Sequence, residues 1–189
     1  TGLKYDAIGE YYKLGLVNHI LGGDFNSRLN INLREDKGYT YGARSAFTSG
    51  KENGDFVFSS GIRADATDSA LVEVLKEMDN YSKNGIQPDE LAFLKSAIGQ
   101  RDARLYETPG QKAGFVGRML EYNLPASFVA IQNHILKNLS KFQVDALAKK
   151  WINTSKMNIL LVGDKAKILP GLQKFGYEII ELDVEGNKK

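Results

Sequence analysis

The spacing of apolar residues changes abruptly near residue 38, and this change constrains the fold more than any other feature of the chain. Apolar side chains before it recur at four-residue steps, which is typical of one helix face: Ile8, Tyr12, Leu16 and Ile20. After it, side chains alternate over residues 39–48 and 56–62, on either side of a glycine-bounded turn at 50–54. Two alternating segments joined by a short turn predict an antiparallel β-hairpin.

Helical patterns surround this hairpin. The sequence predicts a helix over 5–21, a shorter one over 26–36, a third between 65 and 85, and further helices from residue 88 to 151, broken at Pro109 and Pro125. Short strands are predicted at 157–162 and 178–183, with a helix over 166–175 between them. Because strands and helices do not alternate singly, the fold class is α+β, an antiparallel sheet with helices on one face.

Composition narrows the functional classes. The chain has 189 residues, which predicts one domain, and its 25 Lys plus Arg and 23 Asp plus Glu are interspersed. An even mixture of charges is unlike the basic stripe of a nucleic-acid-binding protein. The longest aliphatic run, over 159–162, is far shorter than a membrane span, and the absence of cysteine excludes disulfides and thiolate chemistry.

The first residue is Thr1, and no leader pattern follows it. We therefore expect residues 1–189 to form a single domain that is incomplete at its N-terminus.

Several kinds of catalytic motif are missing. His19 and His134 are the only histidines and lie in separate predicted helices, so the sequence contains neither H-E-x-x-H nor H-x-x-E-H. Phosphate-binding glycine loops and the G-x-S-x-G elbow are absent too. The acids Asp24, Glu35 and Asp36 lie close together in sequence and offer a weak hydrolase alternative, for which solvated surface charge is the ordinary explanation.

The segment 21–41 reads LGGDFNSRLNINLREDKGYTY and holds the best candidate site. Arg34 ends a predicted short helix, Tyr41 lies just inside the next strand, and a glycine turn folds one toward the other. Arginine provides a fixed fork of donors, and a tyrosine hydroxyl donates to an oxygen that gains negative charge. The structural alternative is an exposed arginine at a helix end and a tyrosine half-buried on the sheet.

The same segment resembles a known family. The likeness is to the second, zinc-lacking half-domain of pitrilysin/insulinase-like metallopeptidases, the group that includes mitochondrial processing peptidase-like proteins. The residues that carry it are Leu21-Gly22-Gly23, Phe25, Ser27-Arg28-Leu29, Leu33-Arg34-Glu35 and the run over 37–41. The likeness continues more loosely to residue 94. It implies that this chain is one of two half-domains that face each other around a chamber. The chain is expected to lack the leading strands of that half-domain.

The resemblance also implies a function. The partner half carries H-x-x-E-H and binds zinc, while Arg34 and Tyr41 match the arginine and tyrosine that the second half supplies to the extended peptide substrate. Tyr41 is expected to bind the substrate carbonyl or oxyanion, and Arg34 to hold a neighbouring carbonyl or to orient Tyr41. The chain itself is expected to hold no cofactor and to be inactive alone, as part of a zinc metalloendopeptidase.

The implied partners are a zinc-bearing half-domain, fused upstream or separate, and a peptide, with neither nucleic acid nor a membrane span. An incomplete sheet also predicts a homodimer that pairs through an exposed strand edge. The expected location is the bacterial periplasm or cell envelope. The alternative function is a structural or assembly subunit of the same fold, which has lost proteolysis.

Overall fold

The switch in apolar spacing falls where it is predicted in the computed structural model, which describes residues 2–102 and 107–189. Helix α1 (Glu10–Asn18) continues into a π-helical turn (His19–Gly23). Helix α2 (Arg28–Asn30) continues into a second π-helical turn (Ile31–Asp36). The chain then bends at Gly38, whose φ of +63° is a left-handed conformation that glycine adopts without strain.

The first helix begins later than its pattern predicts. The segment before Glu10 is tied to the hairpin loop instead, since the Tyr5 N–H donates to the Gly50 carbonyl at 3.0 Å. Leu3 in this segment is buried in the core.

The predicted hairpin is confirmed as strands β1 (Thr40–Phe47) and β2 (Phe56–Ile62), which pair antiparallel. Phe47 lies opposite Phe56 at the closed end, and Ala43 lies opposite Ser60 near the open end. One face of β1 is buried against α1 and the first π-helical turn, and the other face of the hairpin is exposed. The chain therefore has the predicted α+β class.

Among the described residues, six further helices follow the hairpin: α3 (Thr67–Asn84), α4 (Pro88–Asp102), α5 (Pro109–Glu121), α6 (Phe128–Asn138), α7 (Lys141–Trp151) and α8 (Lys165–Leu172). Single 3₁₀ turns occur at Ala64–Ala66, Thr154–Lys156 and Gln173–Phe175. The predicted capping box of Ser140 with Gln143 starts α7, and Thr108 with Gln111 starts α5 in the same way. None of the described helices is both long and apolar enough to cross a bilayer.

One core joins the hairpin to the helices. Tyr81 of α3 is fully buried in it, and its hydroxyl donates to the Val17 carbonyl of α1 at 2.7 Å. Burial raises the pKa of Tyr81 above its ordinary value, so the phenol stays neutral as a donor. After Tyr81, the largest fully buried apolar side chains of this core are Leu14, Leu21, Leu29, Leu33, Met78, Ile86, Leu94 and Ile152.

The prediction of two short strands near the C-terminus is wrong. Residues 157–162 and 178–181 form no strand, and a single bridge joins Leu182 to Lys188. A strand needs the backbone of a neighbour, and in the part of the chain that the structure describes the only sheet has two strands. Apolar side chains in both segments, including Leu160 and Ile180, are left exposed.

Gly22 marks the point where the first π-helical turn touches the hairpin. A Cβ added at this residue would meet the Ser45 hydroxyl and would lie 2.8 Å from the Ser45 backbone nitrogen. Backbone cannot yield as a flexible side chain can, so only glycine allows this approach. Gly22 of the Leu21-Gly22-Gly23 run therefore has a packing role.

We predict that Gly22→Ala lowers the free energy of unfolding by about 2 kcal/mol, because the new methyl group forces the turn away from β1. Urea denaturation measures this. Gly15→Ala is the matched control, since a Cβ there meets nothing within 4 Å and alanine in an exposed helix interior stabilises by up to about 1 kcal/mol. Equal stability of Gly22→Ala and wild type would contradict the close approach.

Candidate functional site

A β-bulge turns Tyr41 outward. Between Thr40 and Ala43 on β1 the pairing advances three residues, while the partner positions on β2 advance only two, from Ile62 to Ser60. Such an extra residue shifts the alternation of side chains between the two faces. Ala43 and the alternate residues after it are buried, and without the bulge Tyr41 would share their face. Instead its side chain is 100% exposed.

The structural alternative for Tyr41 requires a half-buried tyrosine, and the observed exposure does not agree with it. A fully exposed tyrosine on a fixed strand presents its hydroxyl to whatever binds the outer face of the hairpin.

Two hydroxyls fix the bulge. The Thr40 hydroxyl accepts from the Gly42 N–H at 3.0 Å and donates to the Gly61 carbonyl at 2.8 Å. The Ser60 hydroxyl lies 2.9 Å from both the Thr40 oxygen and the Gly42 carbonyl. These bonds satisfy backbone groups that the interrupted ladder leaves unpaired. A concavity of about 380 Å³ lies at the bulge, lined by Gly42, Arg44, Ser59, Ser60 and Gly61.

Arg34 lies in the second π-helical turn, with its side chain 33% exposed. Its guanidinium carbon is 4.4 Å from the centroid of the Phe25 ring, and Nη1 is 3.1 Å from the Glu35 carboxylate. Arg34 makes no hydrogen bond within the described residues, since the approach to Glu35 is an ion pair of poor alignment. Nη1 itself is buried, so it is the other donors of this partly exposed guanidinium that remain open to a ligand.

A buried amide joins the segments that carry these two residues. The Asn30 side chain donates to the Phe25 carbonyl at 2.7 Å and accepts from the Ala43 N–H at 3.0 Å. Phe25 touches Arg34, and Ala43 follows Tyr41 by two residues. Sequence analysis named Phe25 only as part of the family resemblance, without a role, and missed Asn30. The only signal for Asn30 was its place inside the segment 21–41.

The other arginine of this segment, Arg28, has a structural role. Its guanidinium donates twice to Glu90, at 2.6 Å each, and once to the Gly85 carbonyl at 3.1 Å, which ties α2 to the start of α4. Burial raises the pKa of the Glu90 carboxyl, but hydrogen bonds from Arg28 and the Gln87 N–H, together with the positive charge of Arg28, hold that pKa below its usual value. The ion pair therefore persists at neutral pH.

The remaining candidates are dispersed. Asp24 accepts from the Asn26 N–H at 2.9 Å in a tight turn, Glu35 pairs with Arg34, and His134 lies on α6. His19 is buried, with Nε2 3.9 Å from Asp24. Within residues 2–102 and 107–189, no three His, Asp or Glu side chains come together as metal ligands. The described residues do not fit a zinc site.

Comparison with known proteins decides the family. The model of the peptidase M16 inactive domain matches residues 2–98, just over half of the chain. The chain belongs to the peptidase M16 inactive domain family. This confirms the predicted resemblance to the zinc-lacking half of zinc metallopeptidases. The family as a whole is one of zinc peptidases, which are proteases and therefore hydrolases.

Similar proteins agree with this membership. The chain is 30% identical over 87 residues to the uncharacterized zinc protease YmxG of Bacillus subtilis. The aligned region covers 46% of this chain and 21% of YmxG. It is 31% identical to the M16 inactive domain structure from Pseudomonas fluorescens, with a TM-score of 0.71 over 80% of this chain and 36% of that one.

A more distant likeness shows the fold alone. A protease from Helicobacter pylori gives a TM-score of 0.67 at 19% identity, over 78% of this chain and 35% of that one. The chain thus spans about a fifth to a third of the length of these three relatives.

We predict that Thr40→Val, which keeps the side-chain shape but removes the hydroxyl, lowers the free energy of unfolding by about 1–2 kcal/mol. The Gly42 N–H loses its acceptor, so its amide hydrogen exchange should accelerate. Exchange monitored by NMR measures this. Thr48→Val is the control, because that hydroxyl makes only contacts of 3.3 and 3.4 Å. Unchanged exchange at Gly42 in Thr40→Val would refute the role of the hydroxyl.

Proposed function

We propose that this chain is the zinc-lacking half of a zinc metalloendopeptidase, in which it binds extended peptide and contributes Tyr41 and Arg34 to the active site. The observation that carries the proposal is the outward position of Tyr41. A bulge held by hydroxyl groups places a tyrosine in solvent at a position where strand alternation would bury it. Such a local departure from regular structure is typical of residues that act on a ligand.

Tyr41 acts as a hydrogen-bond donor. Its hydroxyl donates to the carbonyl oxygen of the peptide bond under attack, and the bond strengthens as that oxygen gains negative charge. Because the side chain rises from a paired strand, the donor needs little reorganisation when the charge develops.

Arg34 holds a neighbouring backbone carbonyl of the substrate. Two roles are predicted for it from the sequence, and this one fits the site better, because no hydrogen bond joins Arg34 to Tyr41 among the described residues. The guanidinium fork is fixed on one side by Glu35 and Phe25, which leaves its other donors to the peptide. Its task is to align the substrate rather than to transfer a proton.

The zinc belongs to the partner half in this proposal. The described residues form no group of three metal-binding side chains, so we derive no step of hydrolysis from this chain alone and expect it to be inactive without its partner. That half is either fused upstream of this chain or a separate subunit. Its metal supplies the activation of water when bound.

The remaining expectations stay predictions. A homodimer would form through the outer edge of β2, where the described residues provide no further strand. A location in the bacterial periplasm or cell envelope likewise awaits a test. The competing proposal is an assembly subunit, which agrees with the description of the family as an inactive domain.

We predict that Tyr41→Phe lowers kcat by about 100- to 1,000-fold, because one oxyanion donor contributes about 3–4 kcal/mol to transition-state binding. Peptide-cleavage kinetics of the zinc half combined with this half in its full-length form measure this, with Arg34→Ala expected to fall as well. Zinc content and assembly of the two halves are the controls. Wild-type turnover in both variants would favour the assembly subunit.

A further inference from the structure

Phe25 is an exposed aromatic residue whose place in the structure calls for an explanation. It lies in the tight turn between Gly23 and Ser27, and 59% of it is exposed. The turn is well fixed, since the Asp24 side chain accepts from the Asn26 N–H at 2.9 Å and the Asp24 carbonyl accepts from Ser27 at 3.2 Å. A rigid turn thus keeps a large apolar ring in water rather than folding it into the core.

The contact that the ring makes is with Arg34. The guanidinium carbon lies 4.4 Å from the ring centroid, which is within the range of a cation–π interaction. The negative face of the ring attracts the cation and also limits the planes that the guanidinium can occupy. Glu35 meets the same side chain 3.1 Å from Nη1, so ring and carboxylate restrict Arg34 from two directions.

The turn that carries Phe25 is also joined to the strand that carries Tyr41. Asn30 is buried between this turn and β1. Its side-chain amide donates to the Phe25 carbonyl at 2.7 Å and accepts from the Ala43 N–H at 3.0 Å. Burial makes such an amide costly to leave unpaired, so both bonds are maintained together. The positions of the Phe25 turn and of the β1 bulge are therefore coupled through one side chain.

We infer that Phe25 is a positioning residue, which holds the Arg34 guanidinium in the orientation that meets the peptide beside Tyr41. This inference rests on the proposed function of Arg34 and Tyr41. Phe25 acts through Arg34, and the Asn30 amide keeps both in register with the Tyr41 strand. An aliphatic side chain of similar size would cover the same surface but would lack the electron-rich face that a cation prefers.

The test uses the full-length protease with its zinc half and compares Phe25→Leu with Phe25→Tyr. We expect Phe25→Leu to lower kcat/KM by about 3- to 10-fold, and Phe25→Tyr to restore it, because tyrosine retains the ring face. Phe142→Leu is the matched control, since Phe142 is 80% exposed on α7 and no cation lies over its ring among the described residues. Thermal unfolding should be the same in all three.

A double variant separates positioning from direct contact with substrate. If Phe25 acts through Arg34, then Phe25→Leu in an Arg34→Ala background causes no further loss, because the two effects are not additive. A further 3- to 10-fold loss in that background would overturn the inference and make Phe25 an independent substrate contact. Wild-type kinetics in Phe25→Leu, with Arg34→Ala impaired, would also overturn it.

A structural readout does not depend on activity. Ring currents of Phe25 should shift the Arg34 side-chain Nε–H resonance of the 189-residue chain upfield, and Phe25→Leu should abolish that shift while Phe25→Tyr keeps it. If the shift behaves as expected but Arg34→Ala and Tyr41→Phe both leave turnover unchanged, then the proposed function has failed rather than the geometry. If the shift is absent in wild type, the inference itself is refuted.

Discussion

Side-chain amides hold the outer edge of β1, and the arrangement of the site depends on them. The edge of β1 that faces away from β2 has no neighbouring strand among the described residues. Asn30 accepts from the Ala43 N–H there, and Asn18 donates to the Ser45 carbonyl at 2.7 Å. Both asparagines are buried, so these two bonds to the backbone of β1 replace ladder bonds that solvent cannot supply. These amides fix the helical N-terminal part of the chain against the hairpin.

This arrangement brings together parts of the chain that carry different kinds of chemistry. The helical segment contributes Arg34 and the ring below it, and the hairpin contributes Tyr41. The bulge then separates the two faces of β1. Residues from Ala43 onward anchor the strand in the core, whereas Tyr41 is presented to solvent. Anchoring a donor on a paired strand is how a protein keeps it in place for a charge that develops only during reaction.

Much of the local structure could be predicted from the sequence, because it is encoded locally. The Ser140 capping box predicts the start of α7 from four residues, and the four-residue apolar steps before residue 22 predict the first helix. Arg34 and Tyr41 were singled out by their chemistry and their place around a glycine turn, the family resemblance supplied their roles, and those roles in catalysis remain proposals. The bulge was not foreseen, because the alternation of side chains over 39–47 is the same with or without it.

The wrong predictions have a physical cause, which is that long-range contacts cannot be read from local sequence. Residues 157–162 have a strand composition, but pairing depends on a neighbour that the described chain does not provide. The roles of Phe25 and Asn30 were not predicted for a related reason: they arise from contacts with Arg34 and Ala43, which only the folded chain brings near. Local pattern therefore predicts elements better than it predicts their partners.

The central claim is that Tyr41 serves the transition state of the partner's reaction rather than the fold of this chain. The most direct measurement compares how the full-length protease, wild type and Tyr41→Phe, binds a phosphinic peptide that mimics the tetrahedral transition state and the matching uncleaved peptide. We predict that the variant binds the phosphinic peptide about 100-fold more weakly while its affinity for the uncleaved peptide is nearly unchanged. Equal weakening of both ligands, or of neither, would contradict the account.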